Sequence, residues 1–97
     1  MKRILVGASW KMYKTVKESI AYVNDLQRFM DKNFKGVDNV TVFVLPTFLS
    51  MDAFSKNIIH GSLKYGAQNC FWENEGPFTG EISPMHLKNL GCSYVEL

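Results

Sequence analysis

Two short runs, Arg3–Ala8 (RILVGA) and Val40–Pro46 (VTVFVLP), are apolar at almost every consecutive position and rich in β-branched residues. A strand with one wet face alternates polar and apolar residues. A run without alternation reads as a buried strand, covered on both faces. Between the two runs, Val16, Ile20, Val23, Leu26 and Met30 recur at spacings of three and four. That pattern gives a helix with one apolar face and leaves Lys17, Asn24 and Lys32 off it. Thr15 and Glu18 form a capping box at its start, because each side chain can satisfy the other residue's free backbone N–H. Gly36 is a plausible stop.

The alternation continues along the chain. Pro46 ends the second strand, and Thr47–Asn57 reads as a short helix with Phe48, Met51 and Phe54 on one side. Leu63–Asn69 (LKYGAQN) is a third strand, followed by the long polar and glycine-rich loop CFWENEGPFTGEI. Ser83 caps another helix with Pro84 at its first position, Leu87 and Leu90 on its apolar side and Gly91 at its close. Cys92–Leu97 is a fourth strand. The order is βαβαβαβ, which specifies the α/β class: a parallel sheet with helices outside it and right-handed crossovers. No linker divides the 97 residues.

Composition excludes several functions. A net charge of +2, with scattered lysines, is too small to argue for nucleic acid or an anionic membrane. No apolar run approaches the ~20 residues of a membrane span. The apolar part of MKRILVGAS is shorter than the ~7–15 residues of a signal peptide. The reading is a soluble cytoplasmic protein. Cys70 and Cys92 make neither a disulfide framework nor a metal motif and are expected as reduced, mostly buried thiols.

In a parallel α/β sheet, functional residues gather beyond the C-terminal ends of the strands. Ser9-Trp10-Lys11-Met12 follows the first strand, Pro46-Thr47 the second, and Gln68-Asn69 with the long loop the third. Lys11 is the sharpest candidate. A lysine there, its stem packed beside Trp10, could hold a phosphate or stabilise an enolate oxygen. The competing reading is a lysine snorkelling to water. The loop's Phe71, Trp72 and Phe78 either form a partner surface or fold back onto the core. His60 and His86 read as surface or structural residues. There is no metal-ligand spacing, phosphate-binding glycine fingerprint or Ser-His-Asp order. Glu96 is a carboxylate in an apolar strand; if buried, it needs a partner.

Taken together, SWKM (9–12), GAQN (66–69), GPFTGEIS (76–83), the Pro84–Gly91 helix and the closing YVEL resemble the triosephosphate isomerase family. The resemblance covers essentially the whole chain, in the family's order. It implies the first half of a TIM (β/α)₈ barrel, with four parallel strands and three helices, as a partial barrel domain over residues 1–97. It implies a homodimeric sugar-phosphate isomerase that works through an enediolate without metal or organic cofactor. Lys11 would be the charged substrate contact, with Ser9 beside it. Thr79 would be the tip of a loop that enters the neighbouring subunit, with Gln68, Phe78, Gly80 and Glu81 in the same contact or its support.

The resemblance also implies a histidine acid directly after the fourth strand and a glutamate base further on, both beyond Leu97. The family usually has Asn before Trp-Lys, and this chain has Ser9. Ser-Trp-Lys-Met resembles a branch that converts L-erythrulose 1-phosphate to D-erythrulose 4-phosphate, and that substrate is the expectation. The alternative is triosephosphate. A reading of another class is a catalytically inactive half-barrel, complete at 97 residues, whose open sheet edges pair with other chains.

Overall fold

The computed structural model describes residues 2–97. Its elements run β1 (Ile4–Ser9), α1 (Val16–Asn33), β2 (Val40–Leu45), α2 (Phe48–Asn57), β3 (Leu63–Ala67), α3 (Pro84–Leu90) and β4 (Tyr94–Val95). The strands form one sheet in the order β1-β2-β3-β4, every pairing parallel. Four parallel strands with three helices are the first half of a (β/α)₈ barrel, as the resemblance implies. Among the described residues, no helix is long and apolar enough to cross a membrane.

The local signals act where expected. Thr15 Oγ1 accepts from the Glu18 amide, and the Glu18 carboxylate accepts from the Thr15 amide. These bonds, the backbone one first, hold the Glu18 carboxyl below its ordinary range. Ser83 accepts from the His86 amide, Pro84 opens α3, and Gly91 closes it.

The core lies on one face of the sheet. Register pairs Val42 with Leu63 and Val44 with Tyr65, so these side chains share a face. Met51 and Phe54 of α2, Val23 and Met30 of α1, and Trp10 pack there with them. The Tyr65 hydroxyl donates to the Leu90 carbonyl and ties α3 to β3. On the other face, Phe43 and Tyr94 pack with ring centroids 4.7 Å apart and planes tilted by 31°. Gly66 pairs with Tyr94, and a Cβ at Gly66 would meet the Tyr94 carbonyl oxygen at 2.3 Å. That approach is closed to any other residue, which gives β3 its glycine.

Three expectations need correction. β1 is not buried: Ile4, Leu5 and Val6 are 48%, 59% and 53% exposed. It is the sheet's edge, and consecutive residues point to opposite faces, so neither face of its first half is covered. β4 is two residues long rather than six. It continues beyond Val95 only as a single bond from the Glu96 amide to the Ala67 carbonyl, 2.9 Å. The inward face of α1 is rotated from the apolar pattern. Ser19, Val23, Gln27 and Met30 are buried, whereas Val16 is exposed and Ile20 and Leu26 are half-buried.

Gln27 explains part of that rotation. Its Nε2 donates to the Asn57 carbonyl (2.7 Å), and its Oε1 accepts from the amides of Ile59 (2.5 Å) and His60 (2.8 Å). One side chain thus satisfies the backbone where α2 ends and the chain turns toward β3. Gln27→Ala is expected to cost about 2–3 kcal/mol, because the part-buried backbone groups lose their partners. Urea unfolding checks this through a lower midpoint, and Gln27→Glu, which sets a buried carboxylate oxygen against the Asn57 carbonyl, should lose at least as much.

Candidate functional site

The C-terminal ends of β1, β2 and β3 are joined through one atom. The Leu45 carbonyl oxygen accepts from the Trp10 amide (3.0 Å) and from Gln68 Nε2 (2.9 Å). Both lone pairs are used, so the strand ends are held in mutual register. Trp10 is buried, edge-on to Tyr22 (5.1 Å) and to Phe54 (5.5 Å). It anchors the turn that leaves β1.

Lys11 follows as an exposed residue with φ 53°, and Lys14 has φ 73°. These are the non-glycine residues with positive φ among the described residues. Such strain in side-chain-bearing residues concentrates at functional sites. The aromatic packing expected for the Lys11 stem belongs to Lys14 instead. Its ammonium lies 5.7 Å from the Trp10 ring centroid and 5.0 Å from that of Tyr22, within cation–π range. Lys11 is left as an exposed cation at the end of β1. Ser9, half-buried, accepts the Lys11 amide on its hydroxyl oxygen at 3.3 Å.

The loop between β3 and α3 is closed at its base by the Phe71 amide donating to the Ile82 carbonyl, 2.8 Å. Phe71 stacks on Trp72 (4.1 Å) and lies against Phe78 (4.7 Å). The aromatics therefore pack on one another, yet Trp72 remains 81% and Phe78 42% exposed. At the tip, the Glu81 amide donates to the Phe78 carbonyl (3.1 Å) and Gly80 has φ 83°. A type II turn requires that conformation at its third position. Thr79 is exposed at the turn's second position.

Two cavities adjoin these loops. One of about 560 Å³ lies between the β1–α1 and β2–α2 connections and is lined by Met12, Lys14, Val16, Thr47 and Leu49. One of about 420 Å³ lies under the long loop, between Phe71, Phe78, Glu81 and His86. Ser9 and Lys11 line neither. Lys14 and Leu49 lie outside the sequence motifs, and Met12 enters them only as the last residue of SWKM. Met12 and Leu49 are large apolar residues beside the caps of α1 and α2.

The remaining candidates are structural. His60 Nδ1 accepts from the Ser62 amide (3.1 Å) and Nε2 lies 3.5 Å from Asp31 Oδ1. It sits at the N-terminal end of β3, away from Lys11. His86 is exposed on α3, and Glu96 is exposed and needs no buried partner. No group of metal-ligating side chains occurs among the described residues. Cys70 and Cys92 are free and half-buried, and burial pushes the Cys92 thiol up to about 11. A thiol raised from 9.0 to about 11 favours the fold fully below pH 9. That contribution is lost as pH rises through 11. Stability is therefore expected to fall across that window, and Cys92→Ala should flatten the fall in a pH series of thermal melts.

The family model described as Triosephosphate isomerase matches residues 4–97. The chain belongs to the triosephosphate isomerase family. It is 41% identical over 95 residues to the triosephosphate isomerase of Dictyoglomus turgidum and 42% over 95 residues to that of Dictyoglomus thermophilum. It is 40% identical over 93 residues to the Aquifex aeolicus protein of the same name. These matches cover 98%, 98% and 96% of this chain. The chain spans 36% of the length of each of these relatives.

Proposed function

We propose that the protein carrying this chain is a sugar-phosphate isomerase that moves a proton between adjacent carbons through an enediolate. The observation that carries this is Lys11: an exposed cation at the C-terminal end of a parallel strand, in a left-handed backbone conformation, in a chain of this family. An ammonium there binds the phosphorylated substrate and stabilises charge that develops on its oxygen. The chain spans 36% of the length of these relatives, and none of its residues matches the acid histidine or the base glutamate that the resemblance implies. The names of the relatives support triosephosphate as substrate. Ser9, shorter than an asparagine, supports a tetrulose phosphate such as L-erythrulose 1-phosphate.

The partner is a second copy. The loop from Cys70 to Ile82 carries Glu73, Glu75 and Glu81 and no basic residue, while residues 11–18 carry Lys11, Lys14 and Lys17 against one acidic residue, Glu18, whose carboxylate is engaged in the α1 cap. That complementarity, with the apolar cleft at Met12, Val16 and Leu49, supports Thr79 and Phe78 entering the neighbouring subunit. The test is an isomerase assay of the protein carrying this chain with both substrates side by side. Turnover of one of them supports the reading, and the preferred one identifies the branch. Turnover of neither would refute it.

The exposed β1 favours a second reading for the 97-residue chain alone: it is inactive and associates through its open edge. A sharp, monomeric unfolding transition at micromolar concentration would contradict that association.

A further inference from the structure

The turn that presents Lys11 has an unusual residue at its most demanding position. The Tyr13 amide donates to the Trp10 carbonyl at 3.1 Å, which closes a four-residue turn, Trp10-Lys11-Met12-Tyr13. Lys11 is its second residue and has φ 53°; Met12, the third, is not among the positive-φ residues. Positive φ at the second position alone is the pattern of a type II′ turn, which ordinarily takes glycine there. A lysine pays the steric penalty of its Cβ in that place. Something local has to offset it.

The flanks do only part of this. Trp10 is held by the Leu45 carbonyl and by two aromatic neighbours, which fixes where the turn starts. Met12 is almost fully exposed and offers no anchor on the far side. The contact that acts on Lys11 itself is the one from its amide to Ser9 Oγ. Its two-residue offset is that of a serine side-chain turn, in which a hydroxyl oxygen takes the place of a backbone carbonyl.

We infer that Ser9 is a positioning residue for Lys11: its hydroxyl oxygen accepts the Lys11 amide and holds the lysine in the left-handed region at the end of β1. The hydroxyl's own proton remains available to a ligand oxygen beside the ammonium, since the bond to Lys11 uses only an acceptor site. The importance of this for turnover rests on the isomerase reading above. The positioning itself does not.

The test is a double-mutant cycle on folding stability. Glycine adopts positive φ without penalty, so Ser9 should matter when residue 11 is lysine and lose its importance in Lys11→Gly. Ser9→Ala is expected to lower the folding equilibrium constant roughly two- to tenfold in the native background and to change it by less than about twofold in Lys11→Gly. Ser9→Thr, which restores a hydroxyl, should recover the loss, and the backbone carbon shifts of Lys11 should return with it. Equal losses in the two backgrounds would overturn the inference.

Should Ser9→Ala fail to fold, the native protein gives a second measurement. The Lys11 amide, which has an acceptor, should exchange with solvent roughly two- to tenfold more slowly than that of Met12 after correction for intrinsic rates; equal rates would overturn the inference. A Lys11→Ala protein that keeps full activity would instead refute the isomerase role of Lys11 and leave the cycle unaffected.

Discussion

Phe54→Ala is expected to abolish cooperative folding of the chain. Phe54 is fully buried, with its ring 5.5 Å from Trp10 and 6.0 Å from Tyr65. It joins the helix layer to the sheet and to the residue that anchors the β1–α1 turn. Truncating such a ring removes its transfer free energy and leaves a cavity, at a cost of about 3–5 kcal/mol. A domain of this size has about 5–15 kcal/mol in total, and this one leaves β1 uncovered. At the low end of that range, where an uncovered β1 puts the chain, the loss takes most of the available stability. Thermal unfolding followed by circular dichroism should show no sharp transition for Phe54→Ala. Phe29→Ala, at an exposed position on α1, should stay within about 0.5 kcal/mol of the native chain. Equal effects at the two positions would mean that the core is not where the packing puts it.

Lys11→Ala is expected to lower kcat/KM about 10²–10³-fold in the protein carrying this chain. That is the scale for removing one group that stabilises charge in the transition state. Lys11→Arg should not restore it, because a planar guanidinium is broader than an ammonium and directs its donors along a fixed fork. Lys35→Ala, exposed and beyond the end of α1, serves as the control with unchanged turnover. Stability separates the roles of the two turn lysines. Lys14 packs its ammonium over Trp10 and Tyr22, so its removal acts on folding, whereas the loss at Lys11 acts on the reaction.

The parts of the fold that were legible in the sequence are those decided within a few residues. The Thr15–Glu18 box, the Ser83–Pro84 start and the Gly91 stop are each complete in three or four positions, and each forms. The βαβαβαβ order was equally readable, because it rests on alternation of patterns and not on their partners. What escaped depends on residues far apart. Gln27 is buried because Asn57, Ile59 and His60, some thirty positions away, take its hydrogen bonds. Nothing near it in sequence says so. β1 has the composition of a covered strand, yet its cover is not supplied by the elements described, so pattern and exposure part company.

The candidate site divides in the same way. Lys11 was found from its place at a strand end. Its left-handed backbone, the contact from Ser9 and the transfer of aromatic packing to Lys14 are properties of a turn closed in three dimensions. Gln68 was read as part of an interface or its support, and within this chain it ties β3 to the Leu45 carbonyl. That bond supports the strand ends whether or not a second copy is present.

The central claim is that the open face above β1, β2 and β3 receives a phosphorylated sugar at Lys11. A crystal structure of the protein carrying this chain, soaked with such a sugar, tests it most directly. The Lys11 ammonium is expected within about 2.7–3.2 Å of a ligand oxygen, with Ser9 still accepting the Lys11 amide. A ligand bound elsewhere, with Lys11 left in solvent, would contradict it.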